Sequence, residues 1–407
     1  MSTQYSTNVL CFYTQYVKIQ KKTKRFFNHS YNNFTQKENT MTVLNVKEIY
    51  NDLHQMPEIG LQEFKTSAYL ADAMEKLGYE VTRNVNVTGV VAIEKGEEPG
   101  PTLLLRADMD ALPFLIDGKP VNIHACGHDA HSAMLLAAAS VLKGKIKRGT
   151  LKILFQPAEE TLYGAIGVIE AGVLEGVDMA LGLHIRPVQD IPYGTMSPGV
   201  KHSSSTFVKV AIHGRSAHAS RPHLGINTIE TAAAIIQSVA AIKMNPNFSW
   251  SCKPTIINGG GSATNIIPDC TTITFDIRSQ SNEIMSELLE RFQKVVKSVG
   301  EAFEAEIEVI FPGGVIPAAV LDDELTAEVA ESIKEVVGEE NLMPVLINTG
   351  GEDFHYFANK YPNLKAAYFG VGVAAEPGLH DPNMTFNIDG LQNGVDVLVN
   401  MTLKKLG

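Results

Sequence analysis

The sequence predicts an α/β fold, a mostly parallel sheet flanked by helices, with a smaller α+β unit inserted into it. Three observations predict it. Apolar strand-like runs alternate with helical stretches in the first and last parts of the chain, which is the pattern of βαβ units. Between about Val200 and Pro312 the order changes to β–α–β–β–α–β, which suits a compact two-layer insert. The 407 residues, 44% hydrophobic and 19% charged, also exceed what one ordinary core holds and describe a folded chain of about two domains.

The elements follow in order. Residues 1–41 are aromatic, polar and basic, with Lys18, Lys21, Lys22, Lys24 and Arg25 and no acid before Glu38. Their apolar stretch near Val9 to Tyr13 is shorter than the ~7–15 residues of a secretory core. Such a segment fits a transit peptide or an extension ahead of a start at Met41, and it is set outside the fold. Lys65 to Leu77 reads as an amphipathic helix, Val87 to Ile93 and Thr102 to Arg106 as strands, and Asp129 to Leu142 as an apolar helix. Leu151 to Phe155 and Met179 to Leu183 are strand-like around a helix at Ala165 to Glu170. The insert, 201–311, reads as strand Phe207 to Ile212, helix Thr228 to Ile242 and strands Thr255 to Asn258 and Thr271 to Arg278. Helix Asn282 to Phe303 and strand Glu306 to Phe311 close it. The main domain, 42–200, resumes over 312–407 and ends in strand Ala366 to Val371 and a terminal helix.

The net charge of −11 argues against nucleic-acid binding, which needs a basic face for phosphates. Four cysteines are too few for a disulfide scaffold, so a reducing, cytoplasmic setting is expected. No apolar run approaches the ~20 residues of a membrane span. No phosphate loop, G-x-G-x-x-G fingerprint, G-x-S-x-G elbow or H-E-x-x-H helix occurs.

The chemistry clusters at the ends of predicted strands. Thr102 to Leu105 runs into Arg106-Ala107-Asp108-Met109-Asp110, and Leu151 to Phe155 into Gln156-Pro157-Ala158-Glu159-Glu160. Met179 to Leu183 runs into His184, Ala366 to Val371 precedes His380 and Asp381, and Cys126-Gly127-His128-Asp129 opens a helix. Open α/β sheets bind ligands at the carboxyl ends of their strands, so these groups are placed to converge. Thiolate, imidazole and carboxylate are the side chains that hold borderline divalent ions. Cys126 and His128 are close enough to bind one ion or two neighbouring ones. Of the adjacent Glu159 and Glu160, one can coordinate while the other takes a proton from water.

These residues resemble the amidohydrolase branch of the aminoacylase and carboxypeptidase metallopeptidase family, which includes hippurate hydrolases, N-acetyl-diaminopimelate deacetylases and indole-acetyl-amino-acid hydrolases. The likeness runs from about Val46 to the C-terminus. It takes in Leu53 to Glu58, Arg106 to Pro113, His124 to His131, Phe155 to Glu160, Leu183 to Pro187, Gly214 to Pro222, Gly351 to Phe354 and Leu379 to Pro382. The resemblance implies metal ligands Cys126, His128, Glu160, His184 and His380, with Glu159 the general base. Five ligands imply two divalent ions per subunit, of zinc, manganese, cobalt or nickel. The wider family has a His where Asp108 stands and a bridging Asp where Cys126 stands; Asp110 matches an Asp that orients a ligand.

The insert is similar to the family's lid or dimerisation domain, which implies a homodimer or higher homo-oligomer. His218 resembles a lid histidine that reaches the partner's site, and Asn265, Arg278 and Gly351 match positions that meet substrate. The implied reaction is hydrolysis of the amide bond of N-acyl amino acids, a small-molecule substrate, to a carboxylic acid and a free amino acid. A dipeptidase or carboxypeptidase with the same machinery is the rival enzyme, and a metal-binding regulatory protein without turnover is the rival outside enzymes. His54, His131, His213, His223 and His355 are expected to be structural or to support the ligands.

Overall fold

Four apolar runs lie side by side and parallel at the centre of a seven-stranded sheet: Arg148–Gln156, Glu98–Asp108, Met179–Pro187 and Lys365–Ala375. They read as nearly continuous apolar segments because both faces are covered; Met179–Pro187 is buried at every position. The computed structural model describes residues 43–407, so the extension expected over 1–41 lies outside the described residues.

The edges of this mostly parallel sheet are antiparallel. Glu80–Val85 and Gly89–Lys95 form a hairpin that pairs antiparallel with Arg148–Gln156, and Met196–Ser197 pairs antiparallel with Lys365–Ala375. The reason is local: the short turn at Asn86 to Thr88 permits only an antiparallel return, whereas parallel neighbours need a crossover. A second hairpin, Leu112–Ile116 with Lys119–Ile123, turns at Asp117 and Gly118, both with positive φ, as a tight two-residue turn requires.

Side-chain alternation divides the core between the two faces. Leu103 and Leu105 pack towards helices His128–Leu142 and Leu391–Leu406, and Leu104 packs the other way with Leu154, Phe354 and Tyr368. Helix His128–Leu142 is buried almost all round because helices Val46–His54 and Leu391–Leu406 cover the side the sheet does not. The residue before it is Gly127 at φ +85, where a Cβ would lie 2.3 Å from Ile185 Cδ1, so only glycine fits this entry turn.

The expected β–α–β–β–α–β order is present. Ser204–His213, Trp250–Gly259, Cys270–Ser279 and Glu306–Ile310 form an antiparallel four-stranded sheet in the order 250–259, 270–279, 204–213, 306–310. Helices Thr228–Ala240 and Asn282–Ala302 start where Asn227 and Ser281 side chains accept from the amides of Ile229 and Ile284. Ile273, Phe275 and Ile277 point to these helices and form a separate apolar cluster with Leu288 and Phe292. Trp250–Gly259 is an edge strand carrying Ile256 and Ile257, each 54% exposed. A two-stranded ribbon, Ala217–His218 with Ile266–Ile267, stands beside this sheet in the chain. Among the described residues no helix is long and apolar enough to cross a membrane.

Candidate metal centre and active-site cleft

The parallel strands end together, and their carboxyl ends carry the polar groups the sequence singles out. Cys126 and His128 come from the entry of helix His128–Leu142, Glu159 and Glu160 from the turn after Arg148–Gln156, and His184 from Met179–Pro187. His380 follows Lys365–Ala375 in a left-handed conformation, its amide donating to Ala125 O at 2.7 Å, which ties this loop to the Cys126 loop.

Ligand-type atoms of these side chains fall into overlapping groups. Cys126 with His128 and His184 forms one, Cys126 with Glu160 and His380 a second, and His128 with Glu159 and Glu160 a third. Cys126 Sγ is 3.4 Å from His184 Nε2, His380 Nε2 is 3.3 Å from Glu160 Oε1, and His128 Nε2 is 3.9 Å from both Glu159 Oε2 and Glu160 Oε1. His184 Nδ1 donates to Ile185 O, and His128 Nδ1 faces Asp110 Oδ1 at 3.1 Å, so each ring keeps Nε2 for the cluster. His131, whose Nε2 accepts from the Ile185 amide, must donate through Nδ1 to Asp108 Oδ1 at 2.6 Å. Asp108, Asp110 and His131 thus stand behind the cluster and orient it.

The donor set fits a divalent cation. His128 Nε2 and Glu160 Oε1 are buried without a hydrogen-bond partner among the described residues. Burial would depress His128, yet the Asp108 charge, ahead of that of Cys126, holds it well above the imidazole range, so positive charge is stabilised here. Burial, with the Glu160 charge behind it, pushes the Cys126 thiol up to about 12; a bound cation would supply the charge that makes it a thiolate.

The Glu159–Glu160 turn is held from below by its backbone. Ala158, left-handed at φ +58, donates its amide to Glu63 Oε1 at 2.8 Å; Glu159 and Glu160 donate theirs to Asp110 at 3.2 and 3.0 Å. Three successive amides thus face two buried carboxylates, an anion-binding concavity turned to positioning. The two glutamates then diverge in proton affinity. Burial, reinforced by Glu352, Glu160 and Asp353, raises Glu159 well above the carboxylate range. Burial would raise Glu160 too, but its contacts with His380 and His128 outweigh that and lower it.

A cleft of about 480 Å³ opens onto Cys126, Glu159, Glu160, His184 and His380, with Arg278 and Gly351 also in its walls. A Cβ on Gly351 would sit 2.8 Å from Ile316 Cδ1, so the wall there is closely packed. His218 and Asn265 are not in this cleft. They face each other across the exposed ribbon, with Asn265 Nδ2 3.4 Å from His218 Nε2. Among the histidines expected to be structural, His54 pairs with Asp129 at 2.6 Å, and His355 is buried against His202 at 3.0 Å. His213 is exposed, 4.0 Å from Glu308, and His223 lies in the short turn Pro222–Leu224.

Sequence reasoning missed Glu63. It caps no helix with its side chain; instead its oxygens take the Thr88 hydroxyl at 2.6 Å and the Ala158 amide, and burial, against that Thr88 bond, pushes its carboxyl up to about 7. The only sequence signal was an acid between Gln62 and Phe64, three residues before Thr66.

Residues 104–404 match the model of peptidase family M20/M25/M40. The chain is 34% identical over 353 residues to the N-acetyl-L-cysteine deacetylase of Bacillus subtilis, with 83% of each chain covered. It is 36% identical over 347 residues to thermostable carboxypeptidase 2 of Saccharolobus solfataricus, covering 81% of this chain and 86% of that one. Among solved structures it is similar to the Bacillus subtilis YXEP protein, described as a dinuclear metal binding peptidase. That likeness has a TM-score of 0.73 and 27% identity over 89% of this chain and 97% of the other.

Removing the Glu63 carboxylate by Glu63→Ala leaves the Ala158 amide and the Thr88 hydroxyl buried without an acceptor, at a cost of about 1–3 kcal/mol. Denaturant unfolding should show that loss, and kcat should fall with it while KM moves little. Glu63→Gln, which keeps an oxygen for the amide, should recover most of both. Equal kcat values in the parent and Glu63→Ala would contradict the positioning role.

Proposed function

The chain belongs to peptidase family M20/M25/M40, and from that premise we propose that its cleft hydrolyses the amide bond of N-acyl amino acids by a metal-dependent route. The observation that carries the reading is a buried Cys–His–carboxylate cluster at the ends of the parallel strands in which two adjacent carboxylates face different partners, Glu160 towards His380 at 3.3 Å and Glu159 towards the Asp353 amide at 3.4 Å. Environments that drive neighbouring acids apart divide them between proton transfer and coordination.

Cys126, His128, Glu160, His184 and His380 would hold two divalent ions, with Cys126 common to two of the ligand groups. Ions so bound supply Lewis acidity, polarising the amide carbonyl and acidifying water. The mixed sulfur, nitrogen and oxygen donors suit zinc, manganese, cobalt or nickel. Glu159 takes a proton from the attacking water as the C–O bond forms, and delivers it to the amine nitrogen as the C–N bond breaks. The products are a carboxylic acid and a free amino acid. Asp110 fixes the His128 ring and the amides of the Glu159–Glu160 turn, and Asp108 fixes His131. Gly351 and Arg278 border the bound substrate.

Residues 42–200 with 312–407 form the catalytic domain in this reading, and 201–311 the lid; the separate apolar cluster around Phe275 and Phe292 supports that division. His218 and Asn265 supply donors to the oxyanion from the lid of a partner copy. Two observations support the exchange: both side chains are exposed away from this chain's cleft, and the edge strand Trp250–Gly259 offers unpaired backbone with Ile256 and Ile257. A reducing, cytoplasmic setting suits Cys126, Cys252 and Cys270, which form no disulfide among the described residues.

A dipeptidase or carboxypeptidase is the second reading, favoured by the likeness to a carboxypeptidase. The two part on substrate. The cleft wall carries Leu162, Phe207, Ile316 and Leu379, which suit an apolar acyl group better than a charged N-terminal amine. Chelated protein reloaded with each of the four metals should hydrolyse N-acyl amino acids with a kcat/KM at least about tenfold above that for dipeptides of the same C-terminal residue, a difference of ~1.4 kcal/mol in barrier. A reversed ratio would establish the peptidase reading, and full activity after exhaustive chelation would remove the metal from either.

Exchange of lid residues has its own test. Subunits inactivated at Glu159 by Glu159→Gln, mixed with subunits inactivated by His218→Ala, should regain activity on co-refolding or subunit exchange. Random pairing makes half the dimers mixed, and one of the two sites in each mixed dimer is intact, so recovery should approach about a quarter of the native rate. Proven exchange without recovery would place His218 in its own chain's chemistry or outside the chemistry altogether.

A further inference from the structure

A pair of buried histidines stands outside the ligand cluster. His202 ends the short strand Val200–His202, His355 ends the turn Asp353–His355, and His202 Nδ1 lies 3.0 Å from His355 Nε2. Both rings are neutral. Burial, ahead of the charges of His355, Arg186 and Arg106, holds His202 well below the imidazole range, and burial, ahead of Arg106, brings His355 down to about 3. A contact between two neutral rings holds a single proton, which leaves two arrangements. Either His202 donates and His355 carries its own proton on Nδ1, or His355 donates through Nε2 and its Nδ1 is bare. His355 Nδ1 is buried without a partner among the described residues, and folded proteins avoid an orphaned N–H more strictly than an unused lone pair. The second arrangement follows: His355 donates to His202 Nδ1, and His202 carries its proton on Nε2. His202 lines the cleft, and its Nε2 has no partner among the described residues and is not closed off from solvent. The inner ring thus makes the outer one an N–H donor.

Asn348 is fixed in the same sense. It is the register partner of His202 where Leu346–Asn348 pairs parallel with Val200–His202, and it too lines the cleft. Its Oδ1 accepts the Gly350 amide at 2.6 Å, so Nδ2 is left as a donor, without a partner among the described residues. Its backbone carbonyl accepts the Ser203 hydroxyl at 3.2 Å and the Gln280 side-chain amide at 3.0 Å, which holds the residue in place. In both residues the accepting atom is used inside the protein and an uncharged N–H remains in the wall.

We propose that His202 and Asn348 form a neutral two-donor subsite that receives a carbonyl oxygen, as of a carboxamide, on the side chain of the substrate's amino acid. His355 is the positioning residue that keeps His202 in its donor form. The assignment rests on the hydrolase reading given above and names the side-chain class that the cleft selects; the acyl group keeps the apolar wall of Leu162, Phe207, Ile316 and Leu379. A wall with built-in donors discriminates against an apolar side chain of the same shape, which leaves those donors unpaired.

The test separates binding from turnover. Zinc-loaded Glu159→Gln protein is titrated calorimetrically with N-acetyl-L-asparagine and with N-acetyl-L-leucine, whose side chains have nearly the same shape. The asparagine derivative should bind at least about tenfold more tightly, the effect of two modest net hydrogen bonds. Adding Asn348→Asp, which keeps an oxygen for the Gly350 amide but removes the donor, should cut that preference at least about threefold, and adding His202→Phe should do the same. Adding His355→Gln, whose amide can still donate to His202 Nδ1, should keep most of it, whereas His355→Leu should lose it. The tautomer is read independently: nitrogen NMR of histidine-labelled protein should show His202 and His355 both protonated at Nε2. That spectrum and the Asn348→Asp arm decide the matter if His355→Leu does not fold. Equal binding of the two ligands, a preference unmoved by Asn348→Asp or by His202→Phe, or His202 protonated at Nδ1 overturns the assignment. Turnover of the parent protein on both ligands is scored separately: no hydrolysis of either would sink the hydrolase reading, while the binding ratios and the tautomer still report on the subsite.

Discussion

A single buried guanidinium makes the rest of this site possible. Arg106 is wholly buried and meets Asp108 and Asp353 at 2.7 Å each, Glu352 at 3.1 Å and the Gln156 side chain at 3.0 Å. Three carboxylates packed together away from water would each carry a desolvation cost of several kcal/mol, and one cation that faces all three offsets part of it. The bonds reach both sides of the cluster. Through Asp108 the constraint passes to His131, whose other nitrogen accepts from the amide next to His184. Through Asp353 it passes to Gln156 and to the Ala165 amide, which flank the turn bearing Glu159 and Glu160. One charge thus sets the spacing of groups drawn from three strands and the loop at 352–353.

The same arrangement explains why two adjacent glutamates behave differently. Arg106 has three carboxylates to balance and leaves negative potential over: burial, against the pull of Arg106, pushes Asp353 up to about 8, and Glu159 feels both Glu352 and Asp353. Glu160, one residue on, lies as far from His128 as Glu159 does but also meets His380 at 3.3 Å. Backbone strain marks the same place. Ala158, Leu162 and His380 take left-handed conformations that cost non-glycine residues energy, and all three border the cluster. The turn stays strained because Glu63 and Asp110 bind its amides.

Much of this was legible in the sequence because it follows from local pattern. Apolar runs marked the four inner strands, and the polar residues just beyond them are the ones that converge. What was not legible depends on contacts across the chain. Nothing in Gln62-Glu63-Phe64 signals a bond to an amide 95 residues away, and nothing near Arg106 signals that its partners include Asp353. The Asp117-Gly118 hairpin is a different case: the dipeptide stands between apolar runs and carries a turn signal that went unread. His218 and Asn265, 47 residues apart, do meet, but the chain alone does not bring them to its own cleft.

The division of labour between Glu159 and Glu160 is the point on which the functional reading turns, and one comparison addresses it directly. Glu159→Gln and Glu160→Gln proteins are loaded with metal, and ion content and single-turnover hydrolysis of an N-acyl amino acid are measured on the same samples. The expected result is that Glu159→Gln keeps the metal content of the parent while its rate falls at least ~100-fold, the lower range for loss of a general acid–base, and that Glu160→Gln loses metal along with rate. A Glu159→Gln protein with near-parental turnover, or one that loses metal as Glu160→Gln does, would contradict it.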